Sequence, residues 1–248
     1  DGTLWTERPV PPQVFYILEY AKDLAQQDPT LAEKEPYKSL LANDFESIKK
    51  QGDEAVMEMA DQTLTGMDEA TYRKSVQNWF ANGTHPEKNK LFKDLKYQPM
   101  TELLELLRSK GFKIFLVSGG SRDFMRAFSV AEYGVPEYQI VGSTFKTQFN
   151  KETHKIERLP ELELMNNYEG KAVGIYNYVG KKPVFVAGNS DGDLQMMQYA
   201  EAGGEHVERD DWVPQVGKDR GERSRGKSIL GGVEESDEPD LFGELRLL

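Results

Sequence analysis

Cysteine is absent from the 248 residues. That excludes disulfides, thiolate nucleophiles, cysteine-ligated zinc and iron–sulfur clusters. Histidine is scarce: His85, His154 and His206 are the whole complement, too few and too scattered for a His-rich metal site or an obvious acid–base pair. No apolar run nears the roughly 20 residues of a membrane-spanning helix, and no signal peptide is visible at the opening Asp1-Gly2-Thr3. Positive charge is also short. With 31 Lys+Arg against 42 Asp+Glu the net charge is −11, so a general nucleic-acid binder, which needs a basic face to release counterions, is not expected. What remains open is carboxylate chemistry with a hard cation. The chain is 38% apolar, enough for a core, and its length suits one domain or one core with an insert.

The texture changes twice along the chain. Residues 11–97 read as helical throughout. Val14, Phe15, Ile17, Leu18, Ala21 and Leu24 recur at 3–4 spacing until Asp28-Pro29; Val56, Met59, Ala60 and Leu64 mark another helix; Asp68 stands where a cap would open a third carrying Tyr72, Val76, Trp79 and Phe80. No strand is expected there. From Gln98 to about Ala202 helices and short apolar runs alternate. A helix over Met100–Leu107 leads to Lys113–Ser118, then a helix from Arg122 to Glu132, a strand at Gln139–Ser143, and a hairpin over Thr144–Leu159 turning near Asn150-Lys151. Pro183–Ala187 reads as another buried strand, followed by a helix starting near Asp191. Alternation of this kind predicts a doubly wound parallel sheet. Residues 203–248 hold 8 of the 22 glycines and no amphipathic period; a disordered or divergent tail is expected there. The domain reading is therefore residues 1–10 with 98–202 as an α/β core, 11–97 as a helical insert, and 203–248 as a tail.

In an open α/β sheet, ligands bind beyond the carboxyl ends of the strands. Three clusters qualify: Asp1-Gly2-Thr3-Leu4, Ser118-Gly119-Gly120, and Gly188-Asn189-Ser190-Asp191-Gly192-Asp193. Together they offer carboxylates, a hydroxyl and exposed backbone N–H groups. With one lysine added they would suit a phosphoryl group and Mg²⁺, because Mg²⁺ takes oxygen ligands and a serine, an amide and an ammonium each bind a phosphate oxygen. Lys171, Lys181 and Lys182 are the candidates for that lysine.

These clusters resemble the motifs of the haloacid dehalogenase (HAD) superfamily of phosphohydrolases. Asp1-Gly2-Thr3-Leu4 is similar to the second half of its Asp-x-Asp-Gly-Thr-Leu signature. Phe115–Gly120 resembles the second motif, and Val184–Asp193 the acidic fourth motif. Over residues 1–202 the pattern looks most like the phosphoserine-phosphatase-like branch, and like a group of bacterial members of which many are exported; the compartment is left open between cytoplasm and export. The resemblance implies a three-layer Rossmann-like parallel sheet with an inserted all-helical cap. It also implies Mg²⁺-dependent hydrolysis of a small organic phosphomonoester through an aspartyl-phosphate.

Carried over by position, Asp1 is the general acid/base, and Thr3, Ser118 and Lys171 complete the catalytic set. Ser118, Gly119, Gly120, Arg122 and Lys171 bind phosphate or substrate. Asp1, Asn189, Asp191 and Asp193 hold the metal, with Asn189 standing where many relatives carry Asp. Arg122 is equally readable as a surface arginine, and Asp123 as a helix-dipole partner. The nucleophilic Asp is expected two residues before Asp1, so the chain as written is expected not to turn over. The alternatives are a phosphate- or substrate-binding module without catalysis, a truncated remnant, and a dehalogenase, which the acidic fourth motif disfavours. Neither a nucleic-acid partner nor a membrane span is expected.

Overall fold

A computed structural model describes residues 1–65 and 67–202; the expected tail at 203–248 lies outside the described residues. The first two-fifths of the chain is helical: α1 (Pro12–Gln27), α2 (Pro29–Ala32), α3 (Tyr37–Leu41), α4 (Phe45–Gln51), α5 (Asp53–Thr65) and α6 (Glu69–Asn82). The boundaries follow local chemistry. Pro12 fills the first turn of α1, where a missing N–H costs nothing. Asp28 ends α1 and caps α2 by accepting the Thr30 N–H. Asp68 caps α6 by accepting from Ala70 and Thr71. The 3–4 spacing is used as expected, because Val14, Ile17, Leu18, Ala21 and Ala25 make the buried face of α1.

The helical run ends in a feature the periodicity does not reveal. Two-residue strands β1 (Thr84–His85) and β2 (Lys90–Leu91) form a small antiparallel hairpin, so the region is not helical throughout. Its anchor is His85, fully buried, with Nε2 2.8 Å from the Arg8 carbonyl and Nδ1 accepting the Glu87 and Lys88 N–H groups. The hairpin thus depends on a histidine and a tertiary contact, not on β-propensity.

The α/β part follows: α7 (Gln98–Ser109), β3 (Leu116–Ser121), α8 (Arg122–Arg126), α9 (Ser129–Tyr133), β4 (Ile140–Phe149), β5 (Ile156–Leu164), α10 (Glu169–Val179) and α11 (Leu194–Glu201). Among the described residues the sheet order is β3-β4-β5, with β3 and β4 parallel and β4 and β5 antiparallel. The expected hairpin is β4–β5, and Asn150 shapes its turn by accepting from Glu152 and Thr153.

Four expectations shift. The strand expected at Lys113–Ser118 is paired from Leu116 to Ser121. The helix expected over Arg122–Glu132 breaks into α8 and α9 at Phe128, which the break lets bury. A 3₁₀ turn at Asp191–Asp193 precedes α11, closed by a reciprocal capping box between Ser190 and Asp193. Pro183–Ala187 pairs with no strand among the described residues, and Val184 is 72% exposed. An apolar run becomes a buried strand only when neighbours supply its ladder and cover its faces, and among the described residues no strand pairs with this one.

An aromatic cluster joins the helical region to the α/β part. Phe80 of α6 stacks on Phe128 at 4.3 Å, Trp5 lies 5.4 Å from both rings, and Phe124 lies against Tyr16 and Trp79. These rings pack as core between the two parts. Arg158 of β5 adds a polar tie, donating to Asp123 of α8 at 3.0 Å with its guanidinium over the Tyr72 ring. Truncating Phe124, which is 2% exposed, removes the ring shared by both halves; Phe124→Ala is expected to cost about 3–5 kcal/mol, read as a lowered urea midpoint.

Candidate active site

The site is built where β3, α10 and the loop before α11 meet the N-terminal residues. β3 advances four residues from Val117 to Ser121 while β4 advances two from Val141 to Ser143. The surplus is a bulge at Ser118-Gly119-Gly120, which turns this stretch out of the ladder. Three polar residues hold it. Asn166, fully buried, donates from Nδ2 to the Ser118 carbonyl at 2.7 Å. The Ser143 hydroxyl donates to the Gly119 carbonyl at 2.6 Å and accepts the Asn166 N–H. Gln13, from the first turn of α1, accepts the Ser121 N–H at 2.8 Å. Ser118 Oγ accepts the Gly120 N–H at 3.1 Å.

Lys171, in the first turn of α10, donates to Asp193 Oδ1 at 2.5 Å. Both side chains are under a tenth exposed. Asp193 Oδ2 accepts from the Asn189 N–H, the Ser190 N–H and the Ser190 hydroxyl. Burial alone would raise the Asp193 carboxyl. The charge of Lys171, its hydrogen bond and the two backbone N–H donors outweigh that and hold it below the usual carboxylate value. Gly188 makes the close turn possible, since a Cβ there would lie 2.5 Å from the Asp193 Cβ.

The N-terminal residues close over this loop. Thr3 donates to Asn189 Oδ1 at 2.9 Å, and Asn189 Nδ2 donates to Glu7 at 2.8 Å. Gly2 has φ +67°, and a Cβ there would lie 2.1 Å from both Asn189 and Glu7, so only glycine fits. The Trp5 indole donates to Asp1 Oδ1 at 2.6 Å. The Asp1 amine faces Lys171, Asp193 and Glu7. Burial and then Lys171 push it down to about 6, against the two carboxylates.

The structure thus brings Asp1, Thr3, Lys171, Asn189 and Asp193 together, with Ser118 lining the same cavity of about 540 Å³ as Asp1, Lys171 and Asp193. Gly119 and Gly120 lie in the bulge beside it. Asp191 is exposed. Arg122 turns elsewhere: its guanidinium lies over Tyr178 at 5.8 Å, Nε is 3.6 Å from Asp123, and it is not among the cavity's lining residues. Of the three lysine candidates, Lys171 pairs with Asp193, while Lys181 and Lys182 are exposed, the latter over the Tyr199 ring. Sequence reasoning missed Gln13, Asn166 and Asn167. Asn167 lies between the two loops, where a Cβ on Gly192 would fall 2.5 Å from its Oδ1 and one on Gly119 3.4 Å away. Single amides carry no spacing signal; the adjacent Asn166-Asn167 pair just before a helix is the one local hint.

Among the described residues, no group of three or more Asp, Glu, His or Cys side chains is arranged as a metal cage. Mg²⁺ does not require one, since it takes one or two carboxylates and keeps waters or phosphate oxygens. The donors here are all oxygens, from carboxylates at Asp1, Glu7 and Asp193 and the amide of Asn189, and that chemistry fits a hard cation.

The sheet contains a parallel pair, and an acidic loop and a serine bulge lie together at one end of it, where open α/β sheets bind ligands. The family model for haloacid dehalogenase-like hydrolases matches residues 1–198, and the chain belongs to that family of HAD-type hydrolases. No curated protein matches it. Among solved structures, it is similar to a conserved, functionally unknown protein from Anaerococcus prevotii DSM 20548, with 22% identity and a TM-score of 0.42 over 54% of this chain and 42% of that one. The chain thus spans under half of that protein's length, and so slight a likeness bears on neither fold nor function.

The buried pair sets a measurable sign. The folded Asp193 value lies below the unfolded one of about 3.9. Its stabilisation is therefore fully present above that pH and is lost as pH falls through the lowered value. Lys171→Met leaves Asp193 buried without its cation and is expected to cost about 3–5 kcal/mol at pH 7. In that variant burial dominates Asp193, so acidification from pH 7 to about 5 should stabilise it relative to wild type; urea titrations across that range measure both effects.

Proposed function

We propose that the chain carries the phosphate- and cation-binding apparatus of a Mg²⁺-dependent phosphomonoesterase acting on a small organic phosphate. The observation that carries this reading is the convergence of Lys171, Asp193, Asn189, Thr3 and Asp1 beside the Ser118 bulge. Ser118 Oγ accepts from Gly120, which leaves its own hydrogen free to donate to a phosphate oxygen. Lys171 uses one N–H on Asp193 and has two more for the phosphoryl group. Asp1 is the acid/base, kept in place by the Trp5 indole. Asp1, Asn189 and Asp193 would hold the cation, with Asp191 reaching it through water; when bound, it would neutralise charge on the phosphoryl oxygens. Residues 11–97 act as a cap, and Gln13 ties it directly to the phosphate-binding bulge.

The carboxylate that accepts the phosphoryl group belongs, by family resemblance, two positions before Asp1, outside residues 1–248. Two chains are therefore compared for p-nitrophenyl phosphate hydrolysis with Mg²⁺: residues 1–248, and the same chain preceded by an apolar strand ending in Asp-x. The extended chain is expected to turn over, to lose activity in EDTA, and to lose about 10²–10³-fold in kcat on Ser118→Ala. An inactive extended chain supports instead a module that binds phosphate without turnover. Hydrolysis by residues 1–248 alone overturns the assignment of Asp1 as acid/base.

A further inference from the structure

Three arginines gather around one carboxylate outside the catalytic cavity. Arg126 Nη1 and Arg122 Nε lie 3.5 Å and 3.6 Å from Asp123 Oδ1, and Arg158 Nε donates to Asp123 Oδ2 at 3.0 Å. α8 meets the cavity with Phe124 and Met125, and none of these four charged residues lines it. The other charges packed against the cluster are Arg73, Glu137 and Glu69. Arg73 of α6 engages both carboxylate oxygens of Glu137, and Glu69 is 71% exposed. Arg122, Arg126 and Arg158 therefore share the single charge of Asp123, which leaves two positive charges without a counterpart in the cluster.

Hydrogen-bond donors are in surplus too. Arg126 Nε is spent on the Glu137 carbonyl at 3.1 Å. Arg122 Nε is buried without a hydrogen-bond partner, and among the described residues no acceptor engages the Nη groups of Arg122 or Arg158, or Nη2 of Arg126. Two of the guanidiniums are held flat by rings, Arg122 over Tyr178 of α10 at 5.8 Å and Arg158 over Tyr72 of α6 at 5.3 Å. A stacked guanidinium keeps its N–H groups in plane, where they can grip an oxyanion. The side chains of Arg122, Arg126 and Arg158 are 20%, 30% and 10% exposed. Burial to this degree makes the surplus charge costly and still leaves a path from solvent. Burial, then the neighbouring Arg122, weakens the hold of Arg126 on its proton, against Asp123, Glu137 and Glu69.

We propose that this cluster is a binding site for a compact oxyanion, free inorganic phosphate, held by Arg122, Arg126 and Arg158 where α8 meets β5. A dianion matches the two uncompensated charges, and its tetrahedral oxygens accept N–H groups from more than one guanidinium at once. The site is separate from the Ser118 and Lys171 pocket, and the inference does not depend on the hydrolase reading.

The test uses residues 1–248 and inorganic phosphate in EDTA, against potassium chloride of matched ionic strength. Phosphate is expected to raise the Tm saturably, by about 4 °C at roughly ten times its Kd, beyond any effect of chloride. Arg122→Gln and Arg126→Gln should each weaken phosphate binding at least about tenfold. Ser118→Ala should leave the saturable shift in place, which separates this site from the catalytic one. Lys146→Gln, which removes the same charge from the exposed part of the β4–β5 hairpin, should leave it in place as well. Cooperative melting in chloride establishes that each variant is folded. The proposal is overturned if chloride stabilises as much as phosphate, if Ser118→Ala abolishes the shift, if Lys146→Gln weakens binding as much as the arginine variants, or if both arginine variants bind as wild type does.

Discussion

One buried ion pair governs the geometry of the site. Lys171 and Asp193 come from α10 and from the 3₁₀ turn before α11, 22 residues apart. Each is expensive to bury alone and tolerable only with the other. Asp193 also accepts the N–H groups of Asn189 and Ser190, so the charge of Lys171 indirectly sets the backbone of the acidic loop. That loop in turn receives Thr3 and, through Asn189, Glu7. Three segments, α10, the acidic loop and the N-terminal residues, are thus ordered around one carboxylate. The arrangement leaves the ammonium with spare donors, so the group that stabilises the loop is also available to an anion.

The opposite wall works without charge. The Ser118 bulge is held by carbonyls that receive from Asn166 and Ser143 and by an N–H that donates to Gln13. Neutral donors fix the loop without adding a charge of their own, and Ser118 stays among the residues that line the cavity. Gln13 is the physical link between the helical region and this loop, so a movement of α1 reaches the bulge through a single hydrogen bond. The aromatic contacts of Phe80, Phe124 and Phe128 oppose such movement with broad apolar packing.

The motifs were legible because they are local. A serine ending an apolar run, an acidic Gly-Asn-Ser-Asp-Gly-Asp loop, and the order of the clusters survive as text, and so did the break at Asp28-Pro29 and the helix cap at Asp68. Features that depend on distant partners were not. Gln13, Asn166 and Asn167 are ordinary polar residues until the fold sets them beside Ser118 and Gly192. The β1–β2 hairpin depends on His85 finding the Arg8 carbonyl, and the break at Phe128 on a pocket formed by Trp5 and Phe80. Arg122 was open to two readings, anion contact or surface arginine, and without a ligand its guanidinium lies over Tyr178 and near Asp123.

Pro183–Ala187 is the most informative discrepancy. Its composition is that of a central parallel strand, and its carboxyl end is held firmly, since Gly188 and Asn189 pack on Asp193. Its amino end is not, with Val184 among the most exposed apolar residues described. Strand propensity is a statement about neighbours more than about the backbone itself. The ion pair positions the end of this run without any ladder along its length, and so the acidic loop is ordered even though the stretch leading into it is not paired. Order at the site therefore does not rest on a ladder along this run: the Lys171–Asp193 pair and the N–H donors of Asn189 and Ser190 sustain it.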